Sequence, residues 1–188
     1  MEINFSHIVT FISLIFGFSL MHAITVLTTY IQNSNKIKFN LIWVIWAINT
    51  IVVLVATWWR IFRRWSTIEI WYPYYFFYLV LLSFLLAIIF FIRFDKFDEL
   101  DNGNLEKQFF ENKKPFFIGF STIYFFIALG QEIVLGTISL EVIKDRIPLL
   151  IQGFIIFCLA FINHKMIHLL LAISFLIGSL IGMFYGGT

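Results

Sequence analysis

The sequence predicts an all-α fold, a polytopic transmembrane helix bundle of about six spans. Three observations carry that expectation. The composition is 61% hydrophobic and 13% charged, where a soluble domain carries about 25% charged residues. The chain also divides into apolar segments near the length needed to cross the roughly 30 Å hydrocarbon layer as a helix. Finally, the stretch Trp43 to Trp65 has tryptophans at both ends, Trp43 and Trp46 at one and Trp58, Trp59 and Trp65 at the other, with Arg60, Arg63 and Arg64 just past the second. Aromatic residues at both limits of an apolar run, followed by a basic stop, are the pattern of a helix pinned at two membrane interfaces.

Taken in order, the first segment runs from about residue 8 to 31. Its N-terminal MEINFSHI has no basic n-region, and no small-residue cleavage site follows, so this segment is expected to stay as a span. The second covers 41–59 and the third about 68–92. The fourth runs over 116–138, the fifth over about 147–162 and the sixth over 166–185. Only Asn163–Lys165 separates the last two, which predicts a tight helical hairpin. With no long polar tail at either end, the expectation is a single transmembrane domain over residues 1–188. Counting Lys and Arg gives eight in loops one, three and five against five in loops two and four, which favours the first set in the cytoplasm and both termini outside.

The substantial loop is Arg93 to Pro115, RFDKFDELDNGNLEKQFFENKKP. Phe94, Phe97 and Leu100 recur every three residues, the spacing of a short interfacial amphipathic helix. Asp101 to Asn104 is a turn signal. A calcium-loop reading fails on register, because Leu100 and Phe109 fall where oxygen ligands are required. The remaining acidic residues, Asp95, Asp98, Glu99, Asp101 and Glu106, make the loop a candidate contact surface for a partner protein, or simply a solvated charged loop.

Composition excludes several function classes. The net charge of +2 and the scatter of basic residues over short loops give no nucleic-acid footprint. Cys158 is the single cysteine, which excludes an internal disulfide and a cysteine metal site. His164 and His168 share a helical face but lack the further ligands a metal needs, and they are expected to be a hydrated interfacial pair. No catalytic triad, phosphate loop, dinucleotide fingerprint or cofactor-binding pattern can be assembled. The expectations are therefore no enzyme activity, no metal and no cofactor.

Polar residues inside spans are costly and are candidate functional positions for that reason. His22 and Asn49 fall at similar depths of the first two spans, which places them within reach of each other. They would line a polar path or, more economically, form one interhelical hydrogen bond worth about 1 kcal/mol. Arg60, Gln131 and Glu132 fall on one side of the predicted topology, so Arg60 and Glu132 are expected to pair at a charged mouth or an interfacial salt bridge. In the sixth span Ser174, Gly178, Gly182 and Gly186 recur every four residues, a strip of small side chains that admits a second helix closely. Ser6, Thr10, Ser13 and Gly17 form a similar strip on the first span and a natural mate for it.

The pattern LIFGFSLMHAITVL, a basic turn and LIWVIWAINTIVVLVATWW, with the later ENKKPFFIGF, resembles a group of small multi-pass bacterial inner-membrane proteins of unknown function. That group has a glycine and small-residue first helix and a second helix ending in Trp-Trp. The resemblance covers roughly residues 8 to 120. It implies an inner-membrane helix bundle and brings no activity with it.

Two functional expectations follow. The first is a homo-oligomeric channel or small-solute pathway in the lipid bilayer. The alternative is a non-transporting accessory or sensor that binds a partner protein through the central loop.

Overall fold

The computed structural model describes residues 5–65, 80–81, 83–87, 90, 104–135 and 138–185, and among these the fold is entirely helical. Five continuous helices are α1 (Phe5–Gln32), α2 (Leu41–Trp65), α3 (Leu105–Leu135), α4 (Leu140–Leu159) and α5 (Lys165–Tyr185). The described residues between 80 and 90 are helical too. There Val80, Ser83, Leu86, Ala87 and Phe90 turn inward while Leu81, Phe84 and Leu85 stay exposed, the one-sided pattern of a helix against a core.

Local chemistry fixes the helix starts. Asn40 caps α2: its Oδ1 accepts from the Trp43 N–H at 2.9 Å, satisfying a donor that the first turn leaves orphaned. Asn104 does the same for α3, accepting from the Lys107 N–H at 3.1 Å, and Ser139 caps α4 by accepting from the Val142 N–H at 3.2 Å.

Two of these caps correct the expected boundaries. The central loop ends at Asn104 rather than Pro115, because residues 105–115 form the first three turns of α3. At 31 residues, α3 is about 46 Å long, well beyond a bilayer's apolar thickness, so its charged opening and its Phe-rich continuation are one rod. Likewise α4 begins at Leu140, seven residues before the expected apolar segment, since the Ser139 cap and the acidic Glu141 in the first turn start the helix ahead of the apolar run.

The helices pack as two layers. The most extensive contact is between α3 and α4, the next between α2 and α5, with α1 on α2 and a narrower seam between α2 and α3. In the first pair the helices are antiparallel: Lys113 meets the end of α4, and Gly153 approaches Tyr124 further along. A Cβ at Gly153 would lie 3.3 Å from the Tyr124 Cβ and from the Phe125 ring, so the absent side chain is what allows the two backbones to close.

The expected tight hairpin of the last two helices is not formed. Although α4 and α5 are joined by Ala160–His164, they part at the turn, α4 settling on α3 and α5 on α2. The expected mate for the α5 strip is also displaced. α1 packs mainly on α2, where the Ser13 hydroxyl accepts from Trp58 Nε1 at 3.3 Å, and a Cβ at Gly17 or Gly178 would meet nothing within 4 Å. Small residues permit a close approach but do not dictate which helix makes it.

The core is aromatic. Trp46 is 0% exposed and stands edge-on to Phe117 at 4.8 Å and to Phe120 at 5.9 Å. Trp43, also fully buried, lies 5.0 Å from Tyr30 and 6.2 Å from Phe90. Phe90 in turn sits 4.5 Å from Phe116. Edge-to-face pairs of this kind each add about 0.5–1.5 kcal/mol beyond area burial. The interfacial-anchor reading of Trp43 and Trp46 is thereby overturned: their indoles fill the centre of the bundle. Trp59, at the other end of α2, is exposed.

The outside is apolar as well. Leu14, Phe18 and Met21 form an exposed row on α1, Ile147, Ile151 and Phe154 one on α4, and Leu170, Ile173 and Ile177 one on α5. Contiguous apolar surface on this scale marks a membrane or partner-facing exterior. Ser13–Gln32 and Leu41–Trp59 are long and apolar enough to cross a membrane, and Lys165–Ile181 is a shorter apolar helix.

Trp46→Ala is expected to cost about 3–5 kcal/mol, whereas Trp59→Ala stays within about 0.5 kcal/mol of wild type. Thermal unfolding of both variants in detergent checks this, and equal losses would restore the anchor reading.

Candidate functional site

Lys113 is a side chain whose role the sequence conceals. It stands beside Lys114 in the run ENKKP, yet adjacent helical residues point about 100° apart; Lys114 is exposed while Lys113 is 1% exposed. The Lys113 Nζ donates to the carbonyls of Leu159 at 3.0 Å and Ala160 at 3.1 Å, and to that of Ile162. These belong to the end of α4 and the turn after it, where helix geometry leaves carbonyls unpaired and the dipole is negative. An ammonium has three donors and meets three acceptors. Burial, reinforced by the neighbouring Lys114 charge, lowers its pKa from 10.5 to about 8, so the group is charged at neutral pH.

His168 completes this junction. It is 0% exposed, its Nε2 lies 2.7 Å from the Ile162 carbonyl, and its ring is set among Phe109, Phe110 and Phe117 at 5.3–5.6 Å. The bond to a carbonyl puts the proton on Nε2. The expected hydrated pair is thus corrected: His164 is exposed, while His168 is a core residue, because the turn folds back over it. Nearby, Lys165 and Glu106 form an exposed ion pair at 2.7 Å, a contact worth at most about 1 kcal/mol.

Asn49 is buried as expected, with a different partner. Its Nδ2 donates to the Ala172 carbonyl at 2.8 Å, because this face of α2 is turned to α5. The bond joins α2 to α5 and leaves His22 half-buried on α1. The side chains of Arg60, Gln131 and Glu132 lie outside the described residues, as do the surroundings of Gly182 and the whole of Gly186, Asp95, Asp98, Glu99 and Asp101.

Where α4 and α5 part, a cavity of about 250 Å³ remains between the two layers. Val53, Ala56 and Thr57 of α2 and Tyr124 of α3 are buried at its floor, while Ile127 of α3 is partly exposed. Gln152 and Ile155 of α4 face Ser174, Phe175, Gly178 and Ser179 of α5 across it. The exposed members of this lining, Gln152, Ser174 and Gly178, all belong to α4 and α5, so the mouth lies between those helices. Among the described residues the lining carries no Lys, Arg, His, Asp or Glu. It mixes hydroxyl and carboxamide groups with apolar walls, the composition of a site for a small molecule.

Sequence reasoning missed Thr57 and Gln152, and it took Ser174 and Gly178 for helix-packing positions. Gln152 carried a signal: a carboxamide within the apolar run 147–162 is expensive if that run lies in lipid. A second, more open recess of about 510 Å³ lies at the end of the bundle among Lys38, Asn40, Asn104, Glu106 and Lys107. Among the described residues no group of three or more His, Cys, Asp and Glu could hold a metal ion.

Comparison with protein families, with curated proteins and with solved structures returns no match. The geometry alone therefore carries the functional argument.

Removing the cation tests the junction. Lys113→Met is expected to destabilise the fold by about 1–3 kcal/mol by stripping carbonyls of their donor. The pH dependence has a definite sign. Because the folded pKa of about 8 lies below the unfolded 10.5, the unfolded chain holds the proton more firmly between these values, and stability rises with pH there. The advantage of wild type over Lys113→Met should therefore widen between pH 8 and 10.5. Paired denaturation curves at pH 7.5 and 10 measure it, and a narrowing would show the ammonium to be the favoured buried form.

Proposed function

We propose that the chain is a multi-pass integral protein of the cell inner membrane that carries a small-solute site and pathway within its own helix bundle. The observation that carries this reading is the cavity between the α2–α5 and α3–α4 layers, whose described lining bears no charged side chain. The exposed apolar rows on α1, α4 and α5 support placing these helices in lipid, where such surface needs no further cover. The six-span arrangement belongs to this proposal. So does the side on which the loops lie, although Lys113 drops out of the loop charges that set orientation, being committed to three carbonyls.

The site differs from the path first expected through His22 and Asn49. Asn49 is tied to the Ala172 carbonyl, whereas Thr57, two turns further along α2, borders open space. A channel between copies of the chain would instead use the α5 strip, where Ser174 and Gly178 are exposed. The accessory reading has less support, because Glu106 of the acidic loop set is already paired with Lys165.

Proteoliposome flux with a panel of small neutral solutes tests the proposal. Gln152→Leu and Gly178→Leu are expected to lower flux about tenfold, by loss of one hydrogen bond and by filling of the cavity respectively. Neutralising Asp95, Asp98 and Glu99 leaves it unchanged. Loss of function from the loop substitutions alone would transfer the role to partner binding. Light scattering of the solubilised protein separates the two routes: a closed oligomer of three or more chains favours the inter-chain path.

A further inference from the structure

The cavity has a direction of access and a chemical bias, and together they identify what enters it. Its floor is closed by buried Val53, Ala56 and Thr57 on α2 and Tyr124 on α3, and its exposed lining stands on α4 and α5. Those two helices diverge from the turn that Lys113 holds, so the opening is a lateral slot between them, midway along both. Ile151 and Phe154 on α4 and Ile173 and Ile177 on α5 are the exposed residues beside it. A ligand approaching through this slot crosses apolar surface, which on the membrane reading above is the bilayer interior.

Charge and hydrogen bonding narrow the class. The described lining carries no Lys, Arg, His, Asp or Glu, so an anion or cation there would lose its hydration without a counter-charge from it, at a cost of several kcal/mol. Gln152 offers both donors and acceptors at the mouth. The Ser174 hydroxyl donates to the Leu170 carbonyl at 2.9 Å, so that group has only acceptor capacity left for a ligand. Thr57 lies deeper, on the buried side. A carboxamide exposed between apolar neighbours in lipid has a strong incentive to find a polar partner. The volume, about 250 Å³, lies just below the range for whole drug-sized ligands and admits a small molecule or one segment of a larger one. Gly178 borders it, and a Cβ there would meet nothing within 4 Å, which leaves room beside α5.

We infer that the slot between α4 and α5 binds an uncharged, lipid-soluble amphiphile through a hydroxyl or ester carbonyl placed against Gln152 and Thr57, with entry sideways from the membrane. This rests on the membrane-embedded reading above and adds the ligand class and the route.

The test uses the full-length protein in phosphatidylcholine nanodiscs and a diazirine-bearing monoacylglycerol as probe, with labelled residues mapped by peptide mass spectrometry. Labelling is expected to concentrate on residues 149–155 and 171–179. Unlabelled monooctanoylglycerol should compete, while octanoate and dodecane should not. Gln152→Leu should weaken labelling about tenfold, the value of one hydrogen bond, and Gly178→Leu should abolish it by occupying the space. Thr57→Val, nearly isosteric, gives a second polar deletion if either variant fails to fold. Labelling spread evenly over α1, α4 and α5, or unaffected by these substitutions, overturns the inference. So does competition by octanoate equal to that by the glyceride. Carbonate extraction of native membranes separates the two levels: a protein released by carbonate defeats the membrane reading itself, whereas a retained protein with unselective labelling defeats only the ligand and route.

Discussion

The arrangement depends on one buried ammonium. Lys113, in the third turn of α3 rather than in a loop, places its charge on the Leu159, Ala160 and Ile162 carbonyls. The end of α4, where Leu159 and Ala160 are buried, has few other sources of donors, because the last carbonyls of a helix have no intrahelical partner. The cation therefore fixes three things together: where α4 stops, how the chain turns, and from which point α5 departs. His168 supports the same turn from the α5 side through the Ile162 carbonyl. Burying the charge has a cost, visible in the lowered pKa, which the three acceptors offset only in part.

Once the turn is held, the aromatic layer decides where the two following helices go. Trp46 presents its edges and faces to Phe116, Phe117 and Phe120 of α3 and lies 6.2 Å from Phe175 of α5. It is the joint between the layers. A side chain of that volume keeps α2 and α3 apart while binding them, and the Asn49–Ala172 bond then draws α5 onto α2. On the other side the missing side chain at Gly153 lets α4 close onto α3. With each helix of the last pair claimed by a different neighbour, they cannot pack on each other, and the space between them is the cavity.

This explains why the polar groups of the cavity sit where they do. Beyond the charged first turns of α4, helices α4 and α5 expose mainly apolar residues, and in lipid a carboxamide or hydroxyl on such flanks would be tolerable only where it can face another polar group or a ligand. Gln152, Ser174 and Ser179 satisfy that condition because the helices diverge. In a closed hairpin the same residues would be interhelical hydrogen bonds, and no site would exist. The cavity is a consequence of how the helices part from the Lys113 turn.

Composition and periodicity by themselves determined the helical class, the approximate helices and the apolar exterior, since these depend on residue type and spacing along one chain. They also marked Asn49 as a buried polar residue. They could not choose its partner, because a residue's face is set locally while the helix that meets that face is set by packing elsewhere. For the same reason Lys113 and Lys114 read alike, Trp43 and Trp46 read as interfacial anchors, and Gly178 read as a contact while Gly153 went unremarked. Only the tertiary structure decided these, through which backbone carbonyls lacked donors and which helix pairs could approach. The cavity belongs wholly to that second category, for it is defined by two helices adjacent in sequence that find their neighbours apart.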